Sequence, residues 1–151
     1  ATPIPSLSTP APMAAPAAMA APATPSVPLA AAKAIECTLG PGAVAEWAPS
    51  GPTASLHDWT RARGGTITFE AIDHRNNAAR VVGSAGAAEA FMIPTPAGLH
   101  FIEEAPGGSV HVSTVFQLAG AQGFYFVTSR HVLRQDGPTP GQYYGSCRIL
   151  R

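Results

Sequence analysis

The stretch SVHVSTVFQLAGAQGFYFVTSRHVL, residues 109–133, decides the fold class. It contains two runs rich in β-branched and aromatic residues, 109–118 and 124–133, which are separated by the small and polar residues AGAQG. Runs of this composition that are interrupted by glycine-containing turns are typical of antiparallel strands. The stretch therefore predicts two strands joined by a tight turn.

Runs of the same character continue on both sides of this stretch. They lie at 34–39, 66–74, 79–84, 88–93, 99–105 and 142–150. Turn-forming sequences such as RNN at 75–77 and PGG at 106–108 separate them, because asparagine and glycine tolerate positive φ angles. We expect an all-β domain, a small antiparallel meander of roughly seven to eight strands that closes as a barrel or folds as a sandwich.

One segment of the predicted domain has a different pattern. TASLHDWTRAR, residues 53–63, fits a helix with Thr53 or Ser55 as its N-cap residue. It fits a loop as well, and the sequence alone leaves the two conformations open.

The turns assign a strand register to the aromatic region. If the two glycines of PGG form a two-residue turn and AGAQ forms the next loop, Phe116 lies opposite both Leu99 and Tyr125. This register predicts a core that contains Phe69, Phe101, Phe116 and Val127. It predicts a polar row on the solvent face that consists of Glu104, His111 and Arg130.

Cys37 and Cys147 lie near the two ends of the predicted β-domain. An even pair of cysteines in a small domain is typical of one disulfide, and disulfides persist in oxidising compartments. Such a bridge would join the first strand to the last, which are neighbours in a closed barrel. We expect this disulfide and a periplasmic or secreted location; two buried free thiols are the alternative. The sequence begins with Ala1 rather than methionine, which processing during export would explain and which a shortened chain would explain too.

The N-terminal segment differs from the rest of the chain. No side chain from Ala1 to Ala32 is charged, and alanine and proline dominate. Its prolines interrupt helices and block sheet pairing, so we expect an extended or disordered tail, residues 1–33, before a β-domain, residues 34–151. Six apolar side chains suit contact with a protein partner: Ile4, Leu7, Met13, Met19, Val27 and Leu29. We expect the tail to dock on a partner protein or to form a homo-oligomer; packing on its own domain is the alternative.

Charge and hydropathy argue against two classes of partner. The 9 basic and 9 acidic side chains give no net charge, and no basic patch suggests binding to nucleic acid. No run of about 18 apolar residues lacks a proline, so we expect no membrane span.

The polar residues do not form a recognisable catalytic or metal site. Ser129 and His131 are residue types found in hydrolases, but residues i and i+2 of a strand lie about 7 Å apart, too far for activation of the serine. A zinc or copper site needs several convergent ligands, and the register brings only Glu104 and His111 together. We therefore expect no catalytic, cofactor or metal-ligating residues.

The ending Tyr143-Tyr144-Gly145-Ser146-Cys147, together with Cys37 and the meander of short strands, resembles small exported proteins of Gram-negative bacteria. This resemblance implies neither an activity nor a site. In its fold alone, the meander also resembles a calycin-type barrel, which implies a lipophilic ligand in the barrel mouth. The glycine that lipocalins carry two residues before their conserved tryptophan is missing before Trp47.

These observations favour one function over two others. We expect a non-catalytic accessory or structural subunit of an exported protein complex, with the tail docking on a partner. The alternative is a small β-barrel that binds an apolar ligand, and a hydrolase is a more distant one.

Overall fold

The computed structural model describes residues 28–58, 65–105 and 107–151. Within these ranges the regular structure is β-strand, apart from a one-turn 3-10 helix at Leu29–Ala31. The strands are β1 (Ile35–Ala48), β2 (Gly51–Asp58), β3 (Thr66–Asp73), β4 (Ala78–Gly83), β5 (Gly86–Thr95), β6 (Gly98–Ala105), β7 (Ser109–Gly120), β8 (Gly123–His131), β9 (Leu133–Arg134), β10 (Gly137–Pro138) and β11 (Gly141–Ile149). The predicted all-β class is confirmed.

Nine of these strands form a closed antiparallel barrel of 8 strands with one extra strand, and β9 pairs with β10 in a separate two-stranded sheet. The barrel order is β1-β3-β4-β5-β6-β7-β8-β11, and β11 pairs with β1 to close it. We call the end with the β3–β4, β5–β6 and β7–β8 turns the lower end, and the opposite end the upper end. The sequence left a barrel and a sandwich open, and the structure is a barrel.

The extra strand is β2, which pairs only with the second half of β1 among the described strands. Residues 53–58 therefore form a strand, where the sequence allowed a helix or a loop. Strand β1 continues past the residues that pair with β3, so it supplies backbone partners to this segment, and Thr53 lies opposite Glu46. The resulting ladder outweighs the local capping preference of Thr53 and Ser55. The rest of that segment, residues 59–63, lies outside the described residues.

Cys37 of β1 and Cys147 of β11 lie opposite each other where the barrel closes, and they form a disulfide. Their Cα atoms are 4.0 Å apart, and 110 positions separate them in the sequence. Closing a loop of this length is worth about 4–5 kcal/mol in the chain-entropy account of disulfide stabilisation. The predicted pairing of the first and last barrel strands is thus confirmed.

Side chains fill the centre of the barrel. The Phe69 and Phe101 rings stack with centroids 4.1 Å apart, and Phe126 meets Phe69 edge-on at 6.2 Å. Aliphatic side chains such as Met92 and Val115 pack around them and are fully buried. An eight-stranded barrel is just wide enough to be filled in this way.

The predicted register between β6 and β7 is wrong by one residue. Leu99 lies opposite Val115, because the connection contains three residues, 106–108, instead of the predicted two. Since side chains alternate along a strand, a slip of one residue exchanges the two faces. Phe116 and Val127 are therefore only partly buried, and Val115 and Phe126 occupy the core in their place. The predicted core positions of Phe69 and Phe101 are confirmed.

The polar row changes with the register. Glu103, rather than the predicted Glu104, lies opposite His111, and His111 lies opposite Arg130. The row lies on the same face as Phe101 and Val115, so it faces the barrel interior at the upper end instead of solvent.

Residues 28–33, which we call the anchor segment, cover the lower end. Leu29 and Ala32 are each 1% exposed and belong to the core. The Leu29 backbone N–H donates to Gln117 Oε1 at 3.0 Å, and His74 Nε2 donates to the Ala32 carbonyl oxygen at 2.8 Å. The sequence assigned these residues to the tail, whereas the structure packs them with the β-domain.

Candidate functional site

The upper end of the barrel interior carries a group of polar side chains, which we call the polar mouth: Glu103, His111, Ser113, Thr128 and Arg130. His111 Nδ1 donates to Glu103 Oε1 at 2.7 Å, and both side chains are largely buried. Ser113 Oγ donates to Thr128 Oγ1 at 2.9 Å, and both residues are buried. These pairs satisfy one another by hydrogen bonding, as buried polar groups require.

The polar mouth faces a small cavity of about 110 Å³. Ile67, Val81 and the small residues 83–88 form its apolar side. Its volume is below that of an engineered cavity of about 150 Å³ that holds benzene. The space therefore suits a molecule of a few atoms rather than a lipid.

The polar mouth has the residue types of a catalytic dyad but no placed nucleophile. With Nδ1 donating to Glu103, a neutral His111 would leave Nε2 as an acceptor. Ser113 lies two residues along the same strand, about 7 Å away, and its hydroxyl proton goes to Thr128. The arrangement can hold a small polar group, and the geometry does not show an activated serine.

Other serine and histidine side chains of these strands lie away from the polar mouth. Ser129 Oγ accepts from Gln142 Nε2 at 3.0 Å, and His100 Nδ1 shares a hydrogen bond of 3.0 Å with Thr114 Oγ1 on the outer face. Within the described ranges, no three His, Cys, Asp or Glu residues converge in a way that could hold a metal ion.

The paired tyrosines of β11 point to opposite faces, because side chains alternate along a strand. Tyr143 is buried, and the Arg130 guanidinium carbon lies 5.6 Å from the centroid of its ring. Tyr144 is on the outside, where its hydroxyl donates to Gln142 Oε1 at 2.8 Å.

A second concave feature, the tyrosine groove, lies on the outer surface across β7, β8, β11 and β1. Its volume is about 450 Å³, and none of the described residues that line it is charged. The lining consists of residues 38–41, 120–123, Tyr125 and 144–146. Tyr125 and Tyr144 are 48% and 46% exposed. The described part of the groove is therefore an uncharged aromatic surface open to solvent.

Glycines shape this groove. A Cβ on Gly120 would lie 2.8 Å from Tyr125 Oη, so only glycine lets that ring lie over the end of β7. A Cβ on Gly145 would collide with the Thr38 carbonyl oxygen, so glycine is needed where β11 passes the kink in β1. The register irregularity between Leu39 and Gly42 marks this kink. The groove could not be predicted from the sequence, because it depends on these two close approaches.

The predicted partner-binding residues divide into two groups. Ile4, Leu7, Met13, Met19 and Val27 lie outside the described residues. Leu29 is buried in the core of its own domain, so the prediction that it contacts a partner is corrected. Its apolar side chain packs in the core of the barrel instead.

Comparison with known proteins gives no relative: no family model, no curated protein and no solved structure matches the chain. In the described part of the chain, no helix is long and apolar enough to cross a membrane.

Proposed function

We propose that the chain is a non-catalytic accessory or structural subunit of an exported, periplasmic or secreted protein complex, and that its tail docks on a partner protein. The observation that carries the proposal is the buried anchor segment. Leu29 and Ala32 fix the place where the tail leaves the barrel, so a partner that binds the tail is held close to that end of the barrel. The contact residues of this proposal are Ile4, Leu7, Met13, Met19 and Val27.

The composition of the tail supports the same proposal. Its apolar side chains can be buried without desolvating a charge, because none is charged before Lys33. Its prolines restrict the free chain and so reduce the entropy lost on binding. The disulfide between Cys37 and Cys147 supports an oxidising compartment.

The barrel interior supports the two alternatives less well. Three phenylalanines occupy its centre, and the cavity that remains at the polar mouth is about 110 Å³. Ligand pockets usually measure about 300–1,000 Å³. An apolar ligand would have to displace core side chains, and a hydrolase would need a nucleophile that His111 could reach.

Site-specific photo-crosslinking in the full-length protein tests the proposal. A photoreactive residue at Leu7 or at Met13, introduced in the cells that make the protein, should attach the chain to one and the same protein. The control position is Glu89, an exposed residue of β5, where no such adduct is expected. An L7D substitution should weaken retention of the captured protein, because a charge would have to be desolvated.

Two results would overturn the proposal. One is an adduct pattern that is the same at Leu7 and at Glu89. The other is a tail that attaches only to its own barrel.

A further inference from the structure

In the last residues before the barrel, prolines recur at a spacing that matches the polyproline II helix. Prolines occur at positions 22, 25 and 28 in the sequence PATPSVP. A polyproline II helix has about 3 residues per turn, so these prolines would lie along a single edge of it. Pro28, which the structure describes, has φ −62° and ψ 144°, which are polyproline II values.

The tyrosine groove has the chemistry that binds such an edge. Proline-rich segments dock in grooves lined by aromatic side chains, where the preformed helix loses little entropy. Tyr125 of β8 and Tyr144 of β11 lie on neighbouring strands. Val127 lies opposite Tyr144, so Tyr125 is offset from Tyr144 by two residues. Diagonal neighbours of this kind are about 7–8 Å apart, which leaves space for a proline ring between them. The described lining of the groove and the proline segment both lack charged residues.

The anchor segment brings the proline segment to the edge of the groove. Leu29 is hydrogen-bonded to Gln117, which precedes Gly120 of the groove by three positions in β7. That distance is about 10 Å along a strand. The seven residues 22–28 would span about 20 Å as polyproline II, and the four strands of the groove are about 15 Å across. Leu118, which is half-exposed, lies between Gln117 and Gly120 in β7 and provides an apolar surface for the segment to cross.

We propose that residues 22–28 dock in the tyrosine groove of their own chain as a polyproline II helix, with the proline edge against Tyr125 and Tyr144. The same chain is the occupant because its tethering gives an effective concentration in the millimolar range, above that of a second copy. This docking goes beyond the proposed function, since it determines where residues 1–21 leave the barrel. Val27 lies off the proline edge and stays available to a partner.

NMR of the full-length chain tests the docking from the side of the tail. The substitutions P22D and P25D, made together, place charges against a groove whose described lining is uncharged. We expect the backbone amide signals of Gly120, Gln122 and Ser146 to shift, while those of His111 and Thr128 stay unchanged. P3D with P5D is the matched control and should shift none of them.

The reverse experiment changes the groove. With Y125S and Y144S combined, the amide signals of Thr24, Ser26 and Val27 should move to their positions in the free peptide PATPSVP. F91S, which alters an exposed phenylalanine of β5, is the control and should leave them in place. Unchanged His111 and Thr128 signals will show that the barrel is folded in each variant.

Three results would overturn the docking. In the first, the tail signals of the unmodified chain already match those of the free peptide. In the second, the groove signals do not shift in the variant with P22D and P25D. In the third, the docked signals disappear on dilution, which would mean that the tail docks on a second copy. The crosslinking outcome at Leu7 does not depend on this result, so the two proposals can fail separately.

Discussion

At the scale of single residues, Leu29 shows how similar apolar side chains can serve different purposes. In the sequence it is one of several apolar residues in an uncharged, proline-rich segment. In the structure it is buried at the lower end of the barrel, with its backbone N–H bound to Gln117. No local property of the sequence separates it from Val27 two positions earlier, because burial here depends on the shape of the barrel end.

Leu29 should therefore contribute to the stability of the barrel. We expect L29A to lower the free energy of unfolding by about 2–4 kcal/mol, as truncation of a buried leucine does. The matched control is L56A on β2, where the side chain is 92% exposed, and its cost should stay below about 0.5 kcal/mol. Chemical denaturation of both variants measures the difference. Equal effects would show that the anchor segment does not pack as described.

At the scale of strands, the connection between β6 and β7 determines which aromatic side chains are inside. Phe126 is buried against Phe69, whereas Phe116 is only partly buried on the outer face. We expect F126A to lower the free energy of unfolding by about 3–5 kcal/mol and F116A to cost at least about 2 kcal/mol less. Equilibrium unfolding monitored by circular dichroism checks this. A larger cost for F116A would mean that the register is that of a two-residue turn.

The strands themselves could be predicted from the sequence, and their faces could not. Alternating β-branched and aromatic residues identified most of the barrel strands and their order. The register depended on whether Pro106 belongs to strand or turn, a local choice that the sequence does not settle. With a two-residue turn, Glu104 instead of Glu103 lies opposite His111, so the polar mouth could not be predicted. Strand β2 was missed because its only described pairing partner is the second half of β1, beyond the residues of β1 that pair with β3.

At the scale of the whole molecule, the closure of the barrel follows from the two cysteines. Their positions near the ends of the β-domain pointed to neighbouring first and last strands, and the pairing of β1 with β11 confirms it. The cover at the lower end could not be predicted in this way. It requires the chain before β1 to turn back over the core, and that depends on contacts with Gln117 and His74, which are remote in the sequence.

The disulfide also determines how the molecule responds to tension. A pull between the tail and Arg151 passes directly from Cys37 to Cys147, so strands β2 to β8 carry no load while the bond is intact. Only residues 1–36 and 148–151 can then lengthen. Single-molecule stretching should show a short extension for the oxidised protein and, after reduction, a further extension from the loop of 110 positions. A long extension without reduction would contradict this load path. A partner that pulls on the tail would thus disturb the residues before β1 first and leave the rest of the barrel folded.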